Sequence, residues 1–221
     1  MRDLESVRYS EITVQGDDRL SYLQGQLTQD LTVASQGMSL LLAPSGEVLT
    51  DIAYTIRSES IQLVVPSDLL DGALARLRRF VLRTKVDFEL VGETTPPIAF
   101  DQMIARVWPS AAEWDLALPP HSFGRGVVDS TISFTKGCFT GQELVGRADA
   151  RGATMPWRFV AGRGGETGAV GEWLSSAGPD GPKGLTSGLV VDGVLAWRGI
   201  AHRTLDPADA AELGTELVFM A

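Results

Sequence analysis

Three features of this 221-residue sequence predict an α+β fold in two lobes. Hydrophobic periodicity switches between about two and 3.6 residues over the first 91 positions. Glycine is concentrated late, with 6 of 24 before residue 121 and 18 after it. Proline pairs at 96–97 and 119–120 bracket a stretch with little periodicity, which reads as a connection.

In the first lobe, residues 1–91, Gly16-Asp17-Asp18 can cap a helix over residues 19–24, with the acids at its positive end. Residues 38–43, the turn Pro44-Ser45-Gly46, and residues 48–56 and 61–65 read as a β-meander. Ser67-Asp68 starts a helix on whose 3.6-residue period lie Leu70, Ala73, Leu74, Leu77, Phe80 and Val81. Residues 84–91 alternate as a further strand, so helices should cover one face of an antiparallel sheet. Residues 92–155 form a short connection with a helical candidate at 100–107, leading into a glycine-framed loop and a helix from Gln142. In residues 156–221, short β segments at 157–161, 184–191 and 194–202 between glycine-rich turns favour a small barrel or sandwich. The glycine run at 162–168 reads as a mobile hairpin loop.

Composition removes several function classes. Apolar residues make up 44% and charged residues 21%, and the longest apolar run, residues 217–221, is far too short to span a membrane. The first residues, Met1-Arg2-Asp3-Leu4-Glu5, lack an apolar signal core, so a cytoplasmic protein is expected. Net charge is −9, and neither half of the chain has a basic excess, which disfavours nucleic-acid binding. Cys138 is the only cysteine, and His121 and His202 are the only histidines, so neither an intrachain disulfide nor a closed zinc site is expected. One thiol cannot by itself hold an iron–sulfur cluster.

The informative stretch is Lys136-Gly137-Cys138-Phe139-Thr140-Gly141-Gln142-Glu143. A thiol just before a helix N-terminus, with Lys136 nearby, has the electropositive setting that activates cysteine. The competing reading is a small buried hydrophobe. A cysteine-protease arrangement fails for want of a histidine placed beside Cys138. The glycine runs at 162–168 and 178–184 lack the spacing, and the helix that must follow, of nucleotide-binding loops.

That stretch resembles the K-G-C-F/Y-x-G-Q-E signature of the YgfZ-type folate-binding proteins, relatives of the glycine-cleavage T-protein (aminomethyltransferase). Residues 22–30, Tyr-Leu-Gln-Gly-Gln-Leu-Thr-Gln-Asp, are similar to the family's F/Y-L-Q-G-Q-x-T-N-D. Residues 44–51 resemble its P-x-G-x-x-x-x-D, and Gly184-Leu185-Thr186-Ser187 resembles its G-x-x-T-S with one position fewer. The resemblance runs in family order from about residue 9 to residue 204. It implies aminomethyltransferase-like folate-binding lobes with a C-terminal β-barrel, tetrahydrofolate as cofactor, and support of iron–sulfur cluster assembly or repair, including for tRNA-modifying enzymes. Its implied partners are a reduced folate and iron–sulfur assembly or client proteins, with no direct nucleic-acid or membrane contact.

The resemblance makes Cys138 and Lys136 the reactive pair, and Asp51, Gln24, Gln142, Glu143 and Arg106 the folate contacts. Cys138 matches the YgfZ branch rather than the transferases. The chain departs from the family in its short segment 92–135, in Thr50 where transferases carry an acid, and in Gln29 where asparagine is usual. The alternative readings are a folate-dependent aminomethyltransferase and a non-catalytic scaffold without folate. Arg76, Arg78, Arg79, Arg83 and Lys85 read as a solvated helix end or as a landing site for an anionic group. The five tryptophans read as core.

Overall fold

The computed structural model describes residues 2–3, 8–95, 108–152 and 154–220. The first sheet is antiparallel throughout. It contains β2 (Tyr9–Gln15), β3 (Gln36–Leu42), β4 (Val48–Ile56), β5 (Ile61–Pro66) and β6 (Asp87–Thr94), in the order β3-β4-β5-β2-β6. Helices α1 (Arg19–Gln26) and α2 (Leu70–Arg78) lie on one face. There Tyr22, Leu23, Leu27, Ala73, Leu74 and Leu77 meet Ile12, Ile52, Tyr54 and Leu63 in a first core. Each large apolar side chain buried in this way contributes about 1.5–3 kcal/mol relative to exposure. Successive residues of β3 serve opposite faces: Leu41 enters this core, and Leu40 and Leu42 enter a second.

The meander and the long helix follow the sequence expectation, and several details differ. Asp18 makes no side-chain cap on α1; its Oδ2 accepts the Lys85 amide at 2.8 Å, and Asp17 pairs with Lys85 Nζ at 2.9 Å. These ties hold Lys85 in a loop, so β6 begins only at Asp87, opposite Gln15. Helix α2 stops at Arg78, which leaves Phe80 exposed rather than on the buried face.

The second sheet contains β1 (Arg2–Asp3), β7 (Trp157–Gly164), β8 (Gly184–Val191), β9 (Val194–His202) and β10 (Thr215–Met220), in the order β1-β8-β9-β7-β10. All neighbours are antiparallel except β1 and β8. Among the described residues this sheet is an open row with no closing pair, so the expected small barrel is not confirmed. The glycine run at 162–168 is not a mobile loop. Strand β7 extends through Gly164, and Gly162 lacks a side chain because a Cβ there would lie 2.4 Å from the Trp197 indole. Helix α6 (Thr167–Ser176) then packs Val170, Trp173 and Leu174 on Val160, Trp197 and Ala201 in a third core.

Between the sheets lie the short helices α3 (Ala111–Trp114) and α4 (Arg125–Thr131), a 3₁₀ turn at Pro120–Phe123, and α5 (Gln142–Ala150). Their second core combines Leu40, Leu42 and Val48 of the first sheet with Phe159 and Ile200 of the second. An aromatic series runs through it, Trp108–Trp114–Phe123–Phe159, with ring centroids 6.4, 4.5 and 6.2 Å apart. Trp108, Trp114, Trp173 and Trp197 are buried, as the core reading of the tryptophans expects. The helical candidate at 100–107 and Arg106 lie outside the described residues. No helix among the described residues is long and apolar enough to cross a membrane.

Candidate functional site

The motifs that look separate in sequence are one hydrogen-bonded unit. The last turn of α1 and the loop leaving it present four backbone carbonyls. Gly25 accepts the Thr140 amide (3.0 Å) and Thr28 the Ser133 amide (3.0 Å). Lys136 Nζ donates to both Leu27 O (2.8 Å) and Gln29 O (2.7 Å). From the other side the buried Thr28 hydroxyl donates to Thr131 O at 2.6 Å and accepts the Leu40 amide at 2.9 Å. Gln24 fixes the outer end of the loop by donating to Asp30 Oδ1 (2.8 Å) and accepting the Leu31 amide (2.9 Å). Burial pushes the Lys136 ammonium down to about 8, with Asp30 pulling the other way. A neutral amine keeps two donors for its two carbonyls, so this contact survives deprotonation.

The third motif closes against the same segment. Gly141 has φ +84°, and a Cβ there would sit 2.7 Å from Ala43 O; a Cβ at Gly46 (φ +99°) would sit 2.7 Å from Leu144 Cβ. Gly141→Ala is expected to destabilise the chain by about 1–3 kcal/mol, because it adds left-handed strain to a backbone clash. An unchanged thermal midpoint for that variant would contradict the packing described.

Between these anchors, Cys138 is exposed. Lys136 holds the chain on its N-terminal side, and on the other side Gln142 Oε1 accepts the Phe139 amide at 3.1 Å, just ahead of α5. Lys136 Nζ is aimed at the first-lobe carbonyls and lies 5.5 Å from the Phe139 ring. Glu143 is on the surface, paired with Arg147. The structure thus gathers Lys136, Cys138, Gln142 and Gln24 around one loop.

Asp51 lies one strand away, opposite Leu40 in the β3–β4 ladder, and turns from the helices toward the second core. Its carboxylate is buried. Oδ2 accepts Trp108 Nε1 at 2.9 Å, and Oδ1 has no hydrogen-bond partner; Trp114 Nε1 is nearby but outside hydrogen-bond geometry. Burial pushes the Asp51 carboxyl up to about 6, against the weaker opposing pull of the indoles. Its neighbour Thr50 is fully buried and donates to the Asp51 carbonyl at 2.9 Å. Tyr9 is pushed up by burial and by the Asp51 charge, and Arg198 acts the other way.

The sequence reading missed Glu113. It is fully buried and ties the connection to the second sheet: Oε2 accepts the Ser110 amide and hydroxyl, both at 2.6 Å, while Oε1 accepts the Thr186 and Ser187 (2.8 Å) hydroxyls. The Thr186-Ser187 pair therefore supplies two hydroxyls to one carboxylate. Ser110 three residues ahead of Glu113 is a capping-box spacing, the one sequence signal that could have found it.

No protein-family model matches the chain. It is 27% identical to an uncharacterized protein of Haemophilus influenzae, covering 90% of this chain and 88% of that one. That alignment spans 249 positions, more than this chain contains, so the relative carries residues that this chain lacks. The tRNA-modifying protein YgfZ of Yersinia pestis is 25% identical over 74% of this chain and 72% of its own length. The crystal structure of glycine cleavage system aminomethyltransferase T from Bartonella henselae shares the fold, with a TM-score of 0.55, 12% identity, and coverage of 88% of this chain and 76% of that one. With its motifs in this order and this fold beneath them, the chain is similar in sequence to the tRNA-modifying protein YgfZ and shares the fold of aminomethyltransferase T.

Proposed function

We propose that this chain binds a reduced folate and supports the assembly or repair of iron–sulfur enzymes, including tRNA-modifying ones, in the cytoplasm. The observation that carries the reading is Cys138, exposed on a loop whose two flanks are both held. Lys136 is a positioning residue in this scheme: it docks the signature on the first lobe and leaves the thiol presented outward. A single thiol supplies one ligand, so any cluster contact is shared with a partner protein.

Asp51 supports the folate half. A buried carboxylate oxygen without a partner is a strong acceptor for an N–H of a bound ring, and a carboxyl at about 6 can hold or release a proton near neutrality. Tetrahydrofolate, when bound, supplies a carrier for one-carbon units. Gln24 and Gln142 keep the adjoining loop in place, and Arg106 and Glu143 remain proposed contacts from the family resemblance. The aminomethyltransferase alternative is disfavoured by Thr50, whose buried hydroxyl is committed to a backbone carbonyl and offers no acid.

Two measurements test the proposal. Anaerobic calorimetry with tetrahydrofolate should show saturable binding; none at millimolar ligand would leave the scaffold reading. In a deletion strain, the Cys138→Ala chain should fold normally and fail to restore iron–sulfur enzyme activity. Full rescue by that chain would remove the thiol from the mechanism.

A further inference from the structure

The basic run after α2 is not a uniform solvated face. Arg76 is buried, with 6% exposure, and donates through Nε to Leu42 O (3.1 Å) and through Nη1 to Gln26 Oε1 (2.9 Å). Its Nη2 is buried without a partner. The ring of Phe80, itself 40% exposed, covers this guanidinium at 4.7 Å, and Arg79 lies 5.8 Å from the same ring. Arg78 and Lys85 are already engaged, with Phe88 O and Asp17 respectively. Arg79 and Arg83 are exposed and, among the described residues, their side chains make no hydrogen bond or ion pair. Leu82 between them is 77% exposed.

We infer that Arg76, Arg79 and Arg83, with Phe80 and Leu82 among them, form a docking surface for an acidic segment of a partner protein. Charge complementarity selects the occupant. The chain carries −9 overall, so an acidic partner is repelled elsewhere and drawn to the place where unpaired cations gather. Two free guanidinium groups neutralise too few phosphates to hold a nucleic-acid backbone, but they match a short run of carboxylates. The exposed Leu82 side chain supplies apolar contact area beside the charges. Displacement of the Phe80 ring brings Arg76 Nη2 within reach of a further carboxylate. The surface also adjoins the thiol loop: Arg76 holds Gln26, whose neighbour Gly25 accepts the Thr140 amide. The inference does not depend on folate binding or on the chemistry of Cys138.

The test is fluorescence anisotropy of the whole chain with a short labelled poly-aspartate peptide, and with a poly-asparagine peptide and a single-stranded RNA of the same length as comparators. The aspartate peptide should bind saturably and weaken with added salt. An Arg79→Ser/Arg83→Ser chain, altered only at exposed positions, should keep its melting temperature and bind the peptide at least about tenfold more weakly. Phe80→Ala should tighten binding by uncovering Arg76; equal or weaker binding would overturn the role given to Arg76. Equal binding of the asparagine peptide, tighter binding of RNA, no binding of the aspartate peptide, or an unaffected double variant would each overturn the docking surface.

Discussion

Glu113→Ala should lower the stability of the chain by about 3–5 kcal/mol, the range for removing one partner from a buried charged network. The variant leaves three donors, the Ser110 amide and the Ser110 and Ser187 hydroxyls, without their acceptor, while the Thr186 hydroxyl keeps Arg198 O. It also leaves Arg198, 4% exposed and already pushed down by burial, without the Glu113 charge that supports its cation. For a chain of this size the melting temperature should fall by roughly 10 °C. Urea unfolding of Glu113→Ala, Arg198→Met and the double variant gives the check. The double variant should lose less than the sum of the singles, because the uncompensated cation is then gone. A loss below about 1 kcal/mol for Glu113→Ala would mean that the latch between the connection and the second sheet is not a fold determinant.

Asp51→Asn should act in the opposite direction on stability while weakening folate binding. The folded carboxyl sits at about 6 against 3.8 for an ordinary aspartate. Between those values the folded chain holds more protons than the unfolded one, so the contribution of Asp51 falls as pH rises through this window and stays low above it. Two pH units correspond to about 3 kcal/mol at neutral pH. Asparagine removes that burden but leaves a buried amide N–H unpaired, for a net gain of about 1–2 kcal/mol. Unfolding midpoints measured from acid to neutral pH should show the wild-type slope and a flatter line for the variant. Tetrahydrofolate affinity should drop at least about tenfold, as expected for losing a charged hydrogen-bond acceptor. A variant that binds folate as well as wild type would separate Asp51 from the ligand.

Local patterns in the sequence revealed much of the first sheet. The meander over residues 38–65 and the period of Leu70, Ala73, Leu74 and Leu77 follow from side chains that must face one core. Helix α6 was hidden because Gly168 and Gly171 each weaken a helix by about 1 kcal/mol relative to alanine. Packing of Val170, Trp173 and Leu174 on the sheet outweighs that penalty. Arg76 was legible only as one of a run of cations, although its spacing from Ala73 and Leu77 puts it on the inward face. The motifs themselves were plain; their union was not. Lys136 reaches carbonyls more than a hundred residues earlier, and no periodicity records a contact of that span.

The pairing of β1 with β8 sets the order in which the chain can complete itself. Arg2 and Asp3 lie beside Ser187 and Gly188, whereas the strand that follows β1, beginning at Tyr9, belongs to the other sheet. During synthesis the first sheet has all its strands once Thr94 has emerged, but β1 must wait until β8, Gly184–Val191, has followed before its neighbour exists. Closing so long a loop is slow and falls late in folding. A bulky tag fused ahead of Arg2 should therefore disturb the far sheet while leaving the near one intact.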